Sequence, residues 1–162
     1  MTEEWRPIPG CDGRYEVSNL GRVRSRPRTT PGRWDTPMHF AGRVLAQESV
    51  VGGYLRVGMR YGGRRHRELV HRLVLLAFVG PCPEGMEARH VDGNPTHNHV
   101  SNLAWGTHSE NTYDQVSAGT HNIARRTHCP QGHPYDEANT YRKPSGARTC
   151  RTCKRDKRKA AA

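Results

Sequence analysis

The sequence predicts an α+β protein assembled from small modules, and three observations carry that expectation. Apolar residues make up only 33% of the chain, against ~45–50% in globular domains when glycine is counted with them. The 162 residues include 17 glycines and 11 prolines, which interrupt the chain too often for one large core. Two hydrophobic periodicities also stand side by side. Leu55, Val57 and Met59 alternate with Arg56, Gly58 and Arg60, whereas Val70 to Phe78 is a short apolar run with helical character.

Element by element, Tyr15-Glu16-Val17 reads as a strand. Ser18-Asn19-Leu20-Gly21 is a turn, since Asn and Gly tolerate the left-handed backbone a tight turn needs. Val23 lies in the returning strand. Residues 27–40, with Pro27, Pro31, Gly32 and Pro37, read as a loop or linker. The alternating strand at 55–60 shows a basic outer face and turns back at Gly62-Gly63. A helix from Val70 stops at Gly80-Pro81. Ala88-Arg89-His90-Val91 is a short strand entering the turn Asp92-Gly93-Asn94-Pro95, and Asp92 and Asn94 are turn formers. After a loop, Leu103-Ala104-Trp105 is extended. Thr107-His108-Ser109-Glu110 has the form of a capping box and starts a helix that ends near Gly119. The rest reads as loop, a cysteine-bearing knob and the basic tail Lys154–Lys159.

Charge narrows the function classes. Net charge is +11, and its placement is uneven. Residues 1–80 hold 14 basic and 7 acidic side chains, and residues 121–162 hold 11 and 3. Between them, Arg89 stands against five acids, in a segment with four of the ten histidines. Polycationic flanks suit a polyanion such as nucleic acid. The centre suits metal binding or chemistry. The longest apolar run, Leu73 to Val79, has seven residues, against ~20 for a membrane span. With no apolar signal segment after Met1, a cytoplasmic protein is expected.

Five cysteines exclude a fully paired disulfide framework. Cys11 and Cys82 read as small buried or half-buried hydrophobes. Cys129-x3-His133, sixteen residues, then Cys150-x2-Cys153 gives two close ligand pairs suited to one closed, structural tetrahedral zinc. His128 is an alternative to His133. Such a knob would turn Arg148, Arg151, Lys154 and Arg155 toward a DNA backbone.

The middle of the chain resembles the HNH (His-Me finger, ββα-metal) nucleases, especially phage homing endonucleases. The residues that carry the likeness run from Val70-His71-Arg72-Leu73-Val74 and Ala77-Phe78 to Arg89-His90-Val91-Asp92-Gly93-Asn94-Pro95. They continue through Asn98 and Ser101-Asn102-Leu103-Ala104-Trp105-Gly106-Thr107 to Glu110-Asn111. Trp5-Arg6-Pro7-Ile8-Pro9-Gly10 with Tyr15 to Ser25 looks like the nuclease-associated NUMOD-type DNA-binding motif, although Cys11 stands where that motif usually has an aromatic. The resemblance implies a β-rich N-terminal module with its linker (1–40), a ββα-metal core (41–120) and, after it, the zinc-binding basic segment (121–162).

It further implies a metal-dependent endonuclease acting on double-stranded DNA in a phage-infected or bacterial cell. Hydrolysis would leave 5′-phosphate and 3′-hydroxyl ends, by nicking or by cutting both strands. By family position, His90 is the general base, Asn111 the ligand of a catalytic Mg2+ or Mn2+, and Asn102 the tie of the long loop. Arg22, Arg24, Arg89, Arg151, Lys154 and Arg155 are the expected DNA contacts. Many relatives place a second metal ligand immediately before the base, and here that residue is Arg89, which cannot bind a cation. Either Asn111, phosphate and water suffice, or another oxygen such as Asp92 substitutes. A catalytically silent DNA-binding protein of the same fold is the alternative. A tri-histidine zinc site built from His90 with His97, His99 and His108 is the weaker reading of the centre.

Overall fold

The computed structural model of the chain describes residues 2–144 and 146–161. Contacts divide it into two compact units, one ending at Ala118 and the other beginning at Gly119.

The first unit opens with β1 (Trp5–Pro7), β2 (Tyr15–Ser18) and β3 (Val23–Ser25), an antiparallel sheet closed at its edge by β6 (Arg43–Val44). Val17 and Val23 pair across β2 and β3 and are wholly buried. Between β3 and β6 lies a hairpin of β4 (Arg28–Pro31) and β5 (Pro37–Phe40), where a loop was expected. Its residues are exposed or half-buried, so no alternation of apolar side chains marks it. Cross-strand contacts hold it instead, with Thr29 Oγ1 2.9 Å from His39 Nδ1 and the Arg28 guanidinium 4.6 Å above the Phe40 ring.

A second sheet joins β7 (Gln47–Ser49), β8 (Leu55–Tyr61) and β9 (Arg64–Leu69). The alternation in β8 is real: Val57 and Met59 are buried. The turn uses positive φ at both Gly62 (55°) and Gly63 (74°), as a two-residue hairpin turn of the mirror-image type requires. Helix α1 (Val70–Phe78) follows without a side-chain cap, and the N–H groups of Val79 and Gly80 both donate to the Leu75 carbonyl at its end. Its Val70, Leu73, Val74 and Leu75 pack with Ile8, Tyr15, Val17, Val23, Val57, Met59 and Leu103. N-terminal strands and helix thus bury one another in a single core, each large aliphatic contributing ~1.5–3 kcal/mol.

On this core rests the segment of chemical interest. Strand β10 (Glu87–His90) pairs antiparallel with β11 (Leu103–Gly106), with His90 opposite Leu103, and α2 (His108–Ser117) packs on β10. The capping box forms: Thr107 Oγ1 accepts from the Glu110 N–H, and the Glu110 carboxylate accepts from the Thr107 N–H at 2.8 Å. Trp105 Nε1 donates to the Gly80 carbonyl at 3.1 Å, fixing β11 to the end of α1.

The second unit contains β12 (Thr140–Arg142), β13 (Arg148–Cys150) and α3 (Arg151–Lys159). The basic tail is therefore a helix. Among the described residues of this unit only Cys129 and Cys150 are buried, so no apolar core holds it. Cys11 is buried as expected, but Cys82 is exposed, its thiol 3.2 Å from the Met86 carbonyl. No helix among the described residues is long and apolar enough to cross a membrane.

Candidate active site

Successive strand residues face opposite sides, and β10 uses both. Ala88 and His90 face the core, whereas Glu87 and Arg89 face α2.

On the core side, His90 is 5% exposed and ends the strand. Its Nε2 lies 3.0 Å from Asn98 Oδ1, and Asn98 is itself buried. The His71 ring on α1 meets it edge-on with centroids 5.0 Å apart, and Tyr54 stands near both rings. Burial lowers the His90 pKa, opposed by the Asn98 hydrogen bond and the Asp92 charge, while His97 and His99 lower it further. The ring is thus neutral at pH 7, the form a base needs. His71 is pushed down to about 4, chiefly by burial and then by the proximity of His90 and Arg72. Its Nδ1 is buried and has no hydrogen-bond partner among the described residues.

The loop between β10 and β11 is tied by Asn102. Its Nδ2 donates to Asp92 Oδ1 and to the His97 carbonyl, both at 2.9 Å, and its Oδ1 accepts from the Asp92 N–H at 3.1 Å. Asp92 also accepts from the Asn94 N–H at 2.8 Å and lies 2.6 Å from His97 Nδ1. Burial would raise the Asp92 pKa, but these hydrogen bonds and His97 bring it to about 2. The Asp92 carboxylate is therefore ionised and ties the turn together, while its side chain stays partly exposed.

On the other face, Asn111 Nδ2 lies 2.6 Å from Glu87 Oε1, and His108 Nδ1 is 3.3 Å from the same oxygen. Arg89 pairs with Asp114 and, at 3.9 Å, with Glu110. A Cβ at Gly106 would fall 2.5 Å from Arg89 Nε, so glycine is required there for the arginine to cross β11. His90 and Asn102 are thus brought into one hydrogen-bonded loop, while Asn111 joins Glu87 on the opposite face. Sequence reasoning gave no role to Glu87, nor to Asn98, which entered only as one of the residues carrying the resemblance. Strand alternation from Arg89 could have found the first; no local signal separates the second from an ordinary loop asparagine. Glu87 and Asn111 offer hard oxygen donors that suit Mg2+ or Mn2+.

In the second unit, the donor atoms of Cys129, His133, Cys150 and Cys153 all lie within 4.8 Å of one another. Cys129 Sγ is 3.6 Å from Cys153 Sγ and 3.5 Å from His133 Nδ1, which is 3.3 Å from Cys153 Sγ and 3.8 Å from Cys150 Sγ. Zinc bond lengths place tetrahedral edges at about 3.8 Å for sulfur–sulfur and about 3.6 Å for sulfur–nitrogen, so the cluster fits one ion. Backbone N–H groups of His133 and Cys153 donate to the Cys129 and Cys150 sulfurs. His128 is exposed and sits 2.9 Å from Thr127 Oγ1. Among the described residues this is the one histidine, cysteine and carboxylate group arranged for a metal; His97 and His99 turn to Asp92 and Ser101 instead.

Family models match in two places: a NUMOD4 motif over residues 3–60 and an HNH endonuclease segment over residues 68–113. The likeness is to HNH endonucleases, with a NUMOD4 motif ahead of the matching segment. The chain is 35% identical over 122 residues to the DNA endonuclease I-HmuI of Bacillus phage SP01, across 75% of its own length and 63% of that protein. It is 40% identical over 68 residues to the SPbeta prophage-derived putative HNH homing endonuclease YosQ of Bacillus subtilis strain 168, across 41% and 39%. The chain thus spans less than two thirds of either relative. A solved structure of DNA binding and cleavage by the HNH homing endonuclease I-HmuI matches with a TM-score of 0.59 and 29% identity, over 95% of this chain and 82% of that one.

Proposed function

We propose that this chain is an HNH-type, metal-dependent endonuclease of double-stranded DNA in which His90 is the general base. The supporting observation is a neutral, buried His90 at the end of β10, held through one ring nitrogen by Asn98, within the segment that matches the HNH family. A base so held can take a proton from water while its orientation stays fixed. Asn102 acts by keeping the loop closed around it. Asn111, with Glu87 beside it, would hold the divalent ion, which when bound supplies Lewis-acid stabilisation of phosphate charge. Arg89 holds α2 to β10 through Asp114 and Glu110 rather than reaching phosphate.

DNA contacts fall to the two basic flanks. Arg22 and Arg24 carry their guanidinium groups 5.7 and 4.2 Å from the Trp5 ring centroid. Arg151, Lys154 and Arg155 line one surface of α3 with Tyr141 and Thr149. One zinc ion held by Cys129, His133, Cys150 and Cys153 would take the place of the missing core. Residues 1–40, 41–120 and 121–162 then serve as DNA-contacting motif, nuclease core and zinc-held basic segment.

Incubation of duplex DNA from the source genome with the chain and Mg2+, followed by mapping of the ends, tests the activity. The expected products carry 5′-phosphate and 3′-hydroxyl ends, and EDTA abolishes them. Binding without cleavage in Mg2+ and in Mn2+ would establish the silent DNA-binding alternative, which the engagement of Arg89 with Asp114 favours.

A further inference from the structure

The N-terminal turn and the catalytic loop meet in one contact that leaves no spare room. In the Ser18–Gly21 turn, Ser18 is buried and its Oγ accepts from the Leu20 and Arg22 N–H groups. The Asn19 carbonyl accepts from the Val100 N–H at 2.8 Å, and the Gly21 carbonyl accepts from Gln47 Nε2 at 2.7 Å. Gly21 has φ +83°, and a Cβ there would lie 2.7 Å from Asn98 Cβ and 2.8 Å from its carbonyl oxygen. The turn is therefore pressed against the backbone of the residue whose side chain holds His90.

The orientation of the Asn98 amide is set by its second partner. Its Nδ2 donates to the Thr96 carbonyl at 3.3 Å, because the reverse orientation would set two oxygens against each other. Oδ1 is left facing His90 Nε2, and an amide oxygen only accepts. The His90 proton must then sit on Nε2, leaving Nδ1 as the lone pair that can take a proton.

We propose that the Ser18–Gly21 turn and Asn98 are positioning elements for His90: the turn seats the Asn98 backbone, and Asn98 fixes the ring orientation and its Nε2–H tautomer. The proposal rests on His90 being the base. It makes the N-terminal motif part of the reacting geometry and more than a tether to DNA, and it explains why a glycine without Cβ stands at position 21. No titratable side chain is needed for the effect, since Asn98 and Gly21 are both neutral.

The test is a histidine 15N spectrum of the full-length protein, read together with single-turnover cleavage. A hydrogen-bonded Nε2–H signal, assigned by its loss in His90→Gln, is expected in the wild type. It should vanish in Asn98→Ala and in Gly21→Ala. Gly10→Ala serves as control, since Gly10 has a similar φ of +76° but nothing within 4 Å of a Cβ. Cleavage in Asn98→Ala should fall by up to ~100-fold in kcat with KM little changed, and Gly21→Ala should add little in that background. A missing signal in the wild type, a signal that survives in Asn98→Ala, or a Gly21→Ala spectrum no different from that of Gly10→Ala would overturn the proposal. Absence of cleavage by the wild type with the expected spectra would instead sink the reading of His90 as base and leave the positioning intact.

Discussion

His71 shows how burial at one residue becomes a property of the whole unit. Its ring is neutral in the fold because protonation there is costly, with a pKa of about 4 against an ordinary 6.5. Between those values the unfolded chain binds more protons, so stability is present above pH 6.5 and is lost as pH falls toward 4. The gap corresponds to about 3 kcal/mol. Urea unfolding at pH 7 and pH 4 should show a loss of at least that size in the wild type, since His90 and Asp92 add to it in the same direction, and a clearly smaller loss in His71→Gln. Equal losses would mean that His71 does not titrate with folding. At this scale the sequence was informative where a residue's type dictates its geometry. Asp92 and Asn94 could be read as turn formers because their side chains bond their own backbone, and they do. Asn98 could not be read, because its role depends on a histidine eight positions away and on a turn nearly eighty positions away. Arg89 was legible as a departure, but its partners Asp114 and Glu110 lie on a helix whose rotation about β10 the sequence does not specify.

At the scale of elements, β8, α1, β10, β11 and the start of α2 were legible because each has a local cause: alternation, an apolar run with a stop, or a cap. The β4–β5 hairpin and α3 were not, since neither buries an apolar face that would imprint a period on the sequence. The capping box gives this scale its prediction. Thr107→Ala removes the acceptor for the Glu110 N–H and should destabilise the first unit by about 1 kcal/mol. The same change loosens α2 where Asn111 meets Glu87 and Asp114 meets Arg89. Chemical denaturation of Thr107→Ala against Thr107→Ser measures it, with the serine variant expected within a few tenths of the wild type. If alanine is as stable as serine, the cap does not anchor α2.

The whole molecule is two units stabilised in different ways. The first buries one apolar core to which N-terminal strands, β8, α1 and β11 all contribute, so the boundary expected near residue 40 does not coincide with a break in packing. The second has no such core among its described residues, and a zinc held by Cys129, His133, Cys150 and Cys153 is the support proposed for it. Purified protein should contain about one zinc per chain that survives mild EDTA treatment, because a closed thiolate-rich site binds tightly. Cys150→Ser should lose the zinc and the helical signal of α3; retention of that helix without metal would show that the four ligands are not its support. The charge distribution gives a second prediction. Several phosphate contacts should make log K fall with log salt at a slope of roughly −5 or steeper, at about −0.9 per contact. Removal of residues 148–162 should make the slope shallower, and an unchanged slope would take α3 away from the DNA.

The most direct test of the central claim compares the wild type with His90→Ala on one duplex substrate in Mg2+, measuring single-turnover cleavage and binding side by side. Loss of a general base should slow cleavage by at least ~100-fold with DNA affinity nearly unchanged. Cleavage by His90→Ala at the wild-type rate would contradict the assignment of His90 and the chemistry built on it.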